Sequence, residues 1–157
     1  MTLFLEKYGP AGIAAMVIVA ALLWHDTVVA FVGAHKLSLD GLYNAVFGWS
    51  AIQCGFVFAV YGFVVGSQGT FIEKIRDTTP MNLFLKYTKN ATWLSFALTL
   101  FSMVQMVCDP KLADGSFQYR AIIVWFGLFV WTFLAFARVA YLFGYLLRSR
   151  PKPLLPG

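Results

Sequence analysis

The chain has 157 residues, of which 60% are hydrophobic, 18% aromatic and only 12% charged. A soluble domain carries about 25% charged residues, so this composition leaves too little polar surface for a shell facing water on every side. The formal charge of +5 is read as membrane topology and contact with anionic lipid heads, not as nucleic-acid binding.

Residues 2–7, TLFLEK, read as a short amphipathic lead-in at a membrane surface. Gly9-Pro10 suits a helix start, with Pro10 at the first helical position. An apolar block then runs from Ala11 to Ala34, broken only by His25-Asp26. It predicts a first span over about 10–34, because a helix needs about 20 residues to cross the hydrocarbon. Lys7 and the Val32-Gly33-Ala34 stretch imitate a cleaved signal peptide, but the apolar region is too long for one and His-Asp interrupts it.

The second block, Tyr43 to Gly66, is uncharged and predicts a span over about 42–66, capped by Ser38 or Asp40. Along it Gly48, Ala51, Gly55, Ala59, Gly62 and Gly66 recur at steps of three and four, ending in a GxxxG pair. Small residues on one face let helices approach closely in lipid. The groove is read as a packing face, for a helix of the same chain or for a second copy.

The connection that follows has its own local grammar. Thr70 and Glu73 have capping-box spacing ahead of Phe71, Ile72 and Ile75, with Glu73, Lys74, Arg76 and Asp77 on the other face. This predicts a short helix over 71–78 lying on the membrane surface. Thr79, as cap before Pro80, opens the next helix, which carries Lys86, Tyr87 and Lys89 at headgroup level before a span over about 84–108. Asp109-Pro110 and Asp114-Gly115 mark turns. The last span, over about 121–147, is bulky nearly all round with Trp125, Phe126, Phe129, Trp131, Phe133 and Phe136. Aromatic residues from Tyr119 to Trp125, and Tyr141 and Tyr145, suit the two interfaces. The tail 148–157, with Arg148, Arg150, Lys152 and three prolines, reads as extended.

The expected fold is therefore all-α: one polytopic domain, a four-transmembrane-helix bundle with a short amphipathic surface helix. With four spans, Lys7, Lys74, Arg76, Lys86, Lys89, Arg148, Arg150 and Lys152 fall on one side, and Lys36, Lys111 and Arg120 on the other. The positive-inside rule then puts both termini in the cytoplasm, at the bacterial inner membrane.

The intramembrane polar candidates are His25, Asp26, Gln53, Gln105 and Arg138. An ionised carboxylate in hydrocarbon costs a few kcal/mol, so Asp26 has three readings. The helix ends near Trp24 and leaves it at the outer surface. Alternatively it is buried and paired, with Arg138 as the intramembrane base and Gln53 or Gln105 as neutral partners. Or His25 and Asp26 titrate in a proton or ion path. Arg138 lies near the inner end of its span, within snorkelling reach of the headgroups and within reach of Glu73 or Asp77. This anchoring is preferred to a pair with Asp26.

Nothing assembles into a catalytic constellation. His25 and His35 cannot clamp a haem between facing spans, Ser50, Ser95 and Ser102 have no histidine base at a matching depth, and no ligand spacing marks a metal site. Cys54 and Cys108 differ in depth by about 15 Å along their helices, too far for a disulfide. No cofactor and no metal are expected, and the protein is expected not to be an enzyme.

The leading expectation is a non-enzymatic sensor, anchor or effector subunit of a membrane complex. It is a homo-oligomer or hetero-complex with a cytoplasmic protein partner and no nucleic acid; a membrane component of a stress or phage-defence system fits that description. The alternative is a small transporter or channel using Asp26. In span count, and in having an acid in the first span, the chain resembles the small multidrug-resistance transporters, which implies ion-coupled transport through Asp26. Here Asp26 lies late in its span, beside His25, and the loops are longer.

Overall fold

A computed structural model describes residues 2–34, 39–66, 78–108 and 119–148. These form five helices: α1 (Thr2–Leu23), α2 (His25–Ala34), α3 (Leu39–Gly66), α4 (Thr79–Cys108) and α5 (Tyr119–Arg148). Within them, Leu39–Gly66, Pro80–Cys108 and Tyr119–Tyr145 are long and apolar enough to cross a membrane, and Tyr8–Leu23 is a shorter apolar helix. The described residues are all-helical, and these three helices mark the chain as a membrane protein. The predicted surface helix over 71–78 and the tail beyond Arg148 lie outside the described residues, and with them Glu73, Lys74, Arg76, Asp77, Arg150 and Lys152.

Two starts differ from the sequence reading. The first helix does not begin at Pro10; it begins at Thr2 and carries Pro10 inside. Proline removes one backbone donor, a loss that helices in apolar surroundings tolerate when neighbours support them, and Pro10 lines a cleft together with Ile13 of α1 and Leu134 of α5. The cap of α4 is one residue earlier than expected: the Asn82 N–H donates to the Thr78 carbonyl at 3.1 Å, which makes Thr78, not Thr79, the residue that closes the first turn. Asp40 lies in the first turn of α3, where its charge suits the helix N-terminus.

The core is a heptad seam between α3 and α4. On α3 the buried positions are Tyr43, Val46, Ser50, Gln53, Val57, Val60 and Val64. On α4 they are Met81, Phe84, Thr88, Ala91, Ser95, Leu98, Ser102 and Gln105. Both sets advance by alternating three and four residues, the 3.5-residue period of left-handed helix pairs. The α3–α4 contact is the most extensive in the bundle, followed by α4–α5 and α1–α5. Between α3 and α5 the backbones touch little. Aromatic side chains bridge them instead, with Trp49 against Phe129, Phe133 and Phe136, and Phe63 edge-on to Phe143.

Apolar clusters occupy the two ends of the seam. One joins Val57, Val60, Val64, Met81, Phe84, Ala91 and Val139; the other joins Tyr43, Val46, Leu98 and Trp125. A polar layer separates them. Gln53 Nε2 donates to Ser95 Oγ at 2.8 Å and to the Thr132 carbonyl at 3.2 Å, tying α3 to α4 and α5. Thr99 Oγ1 donates to Ser50 Oγ at 3.0 Å, and Trp125 Nε1 to Ser102 Oγ at 2.9 Å. The hydroxyls of Thr88, Thr92, Ser95 and Thr132 also donate to carbonyls four residues back, and Thr99 shares its one proton between Ser50 Oγ and the Ser95 carbonyl. That back-bonding lets hydroxyl residues sit in a dry core without an orphaned donor. Trp125, expected near an interface, is fully buried and meets Tyr43 edge-on.

α1 packs on the opposite flank of α5. The side chain of Ile18 lies over Gly127, where an added Cβ would collide with it. Ala14, 3% exposed, seats the same contact. Gly127 is the described glycine whose missing side chain the fold uses: at Gly48, Gly55, Gly62 and Gly66 an added Cβ meets nothing within 4 Å. The small-residue face of α3 thus receives no helix of its own chain among the described residues. It points outward, with Ala51 and Ala59 exposed as well. The sequence left two readings of that face open, same chain or second copy; for their own packing the described helices use the heptad positions instead.

Candidate functional site

The sequence singled out His25-Asp26, and the structure separates that pair from the bundle interior. α1 ends at Leu23 and α2 begins at His25, so the predicted span over 10–34 is two helices with a break at Trp24. Trp24 keeps its own helical bonds on both sides: its N–H donates to Ala20 O, and its carbonyl accepts from Val28 N–H, each at 3.0 Å. The Ala21 carbonyl, which a continuing helix would give to His25, instead accepts the Tyr119 phenol at 2.7 Å. His25 meets the Tyr119 ring edge-on at 4.3 Å, and its Nδ1 lies 2.9 Å from Asp26 Oδ1. The Asp26 side chain is fully exposed. Its neighbour is therefore the adjacent imidazole at the Tyr119 end of the bundle.

Arg138 lies at the other end. Its guanidinium carbon stands 3.3 Å over the centroid of the Tyr87 ring, a cation–π contact that fixes the plane of the group. The buried Asp26–Arg138 pair is thus not formed: the two residues sit at opposite ends of the α1–α5 contact. Gln53 is held by Ser95 and Thr132, with its Oε1 meeting no donor among the described residues, and Gln105 is 4% exposed with Nε2 likewise unmatched. Both belong to the helix seam and neither faces Asp26. Cys54 and Cys108 are free thiols.

Arg138 opens onto a concavity between helices. α1 and α4 both lean on α5 without packing substantially against each other, and the gap between them is a crevice of about 420 Å³. Lys86 and Lys89 line it from α4, Arg138 and Trp131 from α5, Trp93 from α4, and Tyr8 from α1. Among the described residues its lining holds three cations and no acid. The placement follows from helical spacing. Lys86, Lys89, Asn90 and Trp93 are offset by three, four and seven residues, so they share one face of α4. Trp131, Ala135 and Arg138 do the same on α5. The chains run antiparallel, so the cations lie together at one end and the two indoles about 10 Å deeper. A shallower cleft on the far side of α1, lined by Gly9, Ile13, Tyr141 and Leu142, reaches the same arginine.

The chain matches no protein-family model, no curated protein and no solved structure. Any assignment of function rests on this geometry.

Of the residues expected to form a basic surface, Lys86 and Lys89 are exposed at the crevice mouth, and Arg148 is exposed at the end of α5. Sequence reasoning missed Tyr8, Asn90, Trp93 and Trp131 as neighbours of these cations. The i, i+3, i+4, i+7 spacing from Lys86 to Trp93 was the available signal. It was masked because Trp131 had been absorbed into an aromatic span that looked uniform on every face.

Proposed function

We propose that this protein is a four-span membrane anchor, sensor or effector subunit, not an enzyme, that presents a basic cytoplasmic surface to a protein partner. The observation carrying this reading is the convergence of Lys86, Lys89 and Arg138 at one end of the bundle, with Arg148 exposed at the same end of α5. The sequence adds Lys74, Arg76, Arg150 and Lys152 to the segments that leave from there.

The fourth span is α1. Its 22 residues correspond to about 33 Å of helix, and it follows α5 from the level of Arg138 to that of Tyr119. With α1 crossing, both termini lie on the basic side, and the positive-inside rule assigns that side to the cytoplasm of the inner membrane. The polar groups of the core support a non-catalytic role, because Gln53, Ser95, Ser102 and Thr132 are engaged in joining helices. The outward small-residue face of α3 suits an assembly with a second copy or another membrane subunit.

Reversing Arg76, Lys86 and Lys89 to glutamate, with membrane insertion confirmed, is expected to abolish co-purification of a cytoplasmic protein from native membranes. Unchanged co-purification contradicts the partner reading, and reporter fusions placing the two termini on opposite faces contradict the topology. The transporter alternative makes a different demand. Its acid, Asp26, stands exposed beside His25 at the far end, a position that weighs against a carrier role. Ion flux in liposomes that Asp26→Asn removes would favour that alternative instead.

A further inference from the structure

We propose that α2 is an interfacial helix. It lies along the boundary between acyl chains and headgroups at the Tyr119 end of the bundle, and its partner is the bilayer itself. The proposal rests on the reading of α1 as the fourth span. It goes beyond that reading by giving the ten residues after the break a place and a binding surface.

The depth of α2 follows from where it starts. The Tyr119 phenol on the Ala21 carbonyl, and the contact of the His25 and Tyr119 rings, set that start level with the start of α5. By then α1 has used 22 residues, about 33 Å of helix, enough to cross a hydrocarbon core of ~30 Å. No hydrocarbon is left for α2 to cross. His25 and Asp26 open its first turn, and the Asp26 side chain is fully exposed, as headgroup level requires. Trp24, 65% exposed at the break, suits the same interface.

Covalent reach sets the direction. Four residues join Ala34 to Leu39, and five Cα steps span at most about 18 Å. Leu39 opens α3 and packs on the cluster of Tyr43 and Trp125, level with the first two turns of α5. An upright α2 would carry Ala34 about 15 Å beyond the break. With α5 between them, α1 and α3 stand two interaxial distances apart, about 16–20 Å. Returning from that height across that width takes more than about 20 Å, which four residues cannot span. Laid across the end of the bundle, the same ten residues close most of the gap.

Continuity with the lipid-facing side of α1 selects the bilayer as occupant. From Thr27 to Ala34 the sequence carries no charge, and Val29 and Ala30 are exposed. Among the described helices α2 packs appreciably on α1 alone, its neighbour in the chain. Met16, Val19 and Leu23 are exposed on α1 at steps of three and four, one face of that helix. That face runs on through Trp24 to Val29. Apolar surface of this kind is costly in water, and the boundary of acyl chains and headgroups covers it where the span ends.

The test uses the full unmodified chain, isotope-labelled, in nanodiscs of phosphatidylglycerol and phosphatidylcholine. Broadening of assigned amide signals is read with three paramagnetic probes: a soluble gadolinium chelate, a gadolinium chelate attached to lipid headgroups, and a nitroxide at the end of an acyl chain. For the amides of residues 27–34 the headgroup chelate is expected to broaden at least threefold more than either other probe. The depth is expected to stay level along the helix, apart from a ripple of helical period. Soluble-chelate broadening that climbs steadily from 27 to 34 means an upright helix in water and overturns the proposal. Protection from all three probes means that protein covers α2, either residues 109–118 of this chain or a second copy, and overturns it too. Met16 serves as reference, with its amide expected to respond most to the chain-end nitroxide. If Met16 responds to the soluble chelate instead, α1 does not cross, and the four-span reading falls together with this one. If Met16 is deep and residues 27–34 are in water, only the interfacial helix falls.

Discussion

The Tyr119 phenol donates to the Ala21 carbonyl at 2.7 Å across the α1–α5 contact, and this bond sits at the point where the first apolar block breaks into two helices. A tyrosine at the start of α5 thereby takes an acceptor from the helix interior of α1, and the following residues, His25 and Asp26, turn out of the bundle. The polar pair that looked anomalous in an apolar run is an end feature of a helix.

Tyr119→Phe removes the donor but keeps the ring that meets His25. A hydrogen bond of this kind contributes about 1 kcal/mol. The expected outcome is a thermal midpoint in detergent lower by a few degrees and faster amide exchange at residues 24–28. Exchange confined to other segments would show that Tyr119 does not hold the break. Tyr119→Ala, which also removes the ring contact, is expected to cost more.

Gln53→Leu tests the polar layer. It removes two interhelical hydrogen bonds while keeping side-chain volume; the Ser95 hydroxyl left behind still donates to the Ala91 carbonyl, and the Thr132 carbonyl lies within the helix α5. Interhelical hydrogen bonds in membranes average about 0.6 kcal/mol each, so a loss of about 1 kcal/mol is expected. A double-mutant cycle with Ser95→Ala, read by unfolding in mixed detergent, measures the direct coupling. A coupling of zero would mean that the Gln53–Ser95 contact does not stabilise the bundle.

The glycines separate by position. Gly127→Leu is expected to push α1 off α5, lowering the unfolding midpoint strongly, because Ile18 already fills the space. Ile18→Ala in the same chain is expected to restore much of it. Gly62→Leu, at a position where an added Cβ meets nothing, is expected to leave the isolated chain as stable as before. An unfolding series on the four proteins checks this ordering, and equal sensitivity at the two glycines would contradict the packing described here.

The heptad seam shows why the sequence was only partly legible. Its buried positions on α4 include Thr88, Ser95, Ser102 and Gln105, while Ile52, Phe58, Trp93 and Val107 are among the most exposed apolar residues. In a soluble bundle that distribution would be inverted, and the burial pattern would be visible as amphipathicity. Gly and Ala on α3 supplied the conspicuous periodic signal, yet among the described glycines close approach was needed at Gly127, in a run of aromatics.

Sequence alone determined the medium and the helical class, because long uncharged blocks with their backbone satisfied internally have few other stable forms in oil. It also concentrated basic residues in particular segments. Only the tertiary structure decided which face of each helix turns inward, that His25 and Asp26 sit beyond a break, and that Lys86, Lys89 and Arg138 meet in one crevice. The reason is physical: lipid is as apolar as leucine, so hydrophobicity drives insertion but does not choose partners. That choice falls to shape and to hydrogen bonds between residues as far apart in the chain as Gln53 and Thr132.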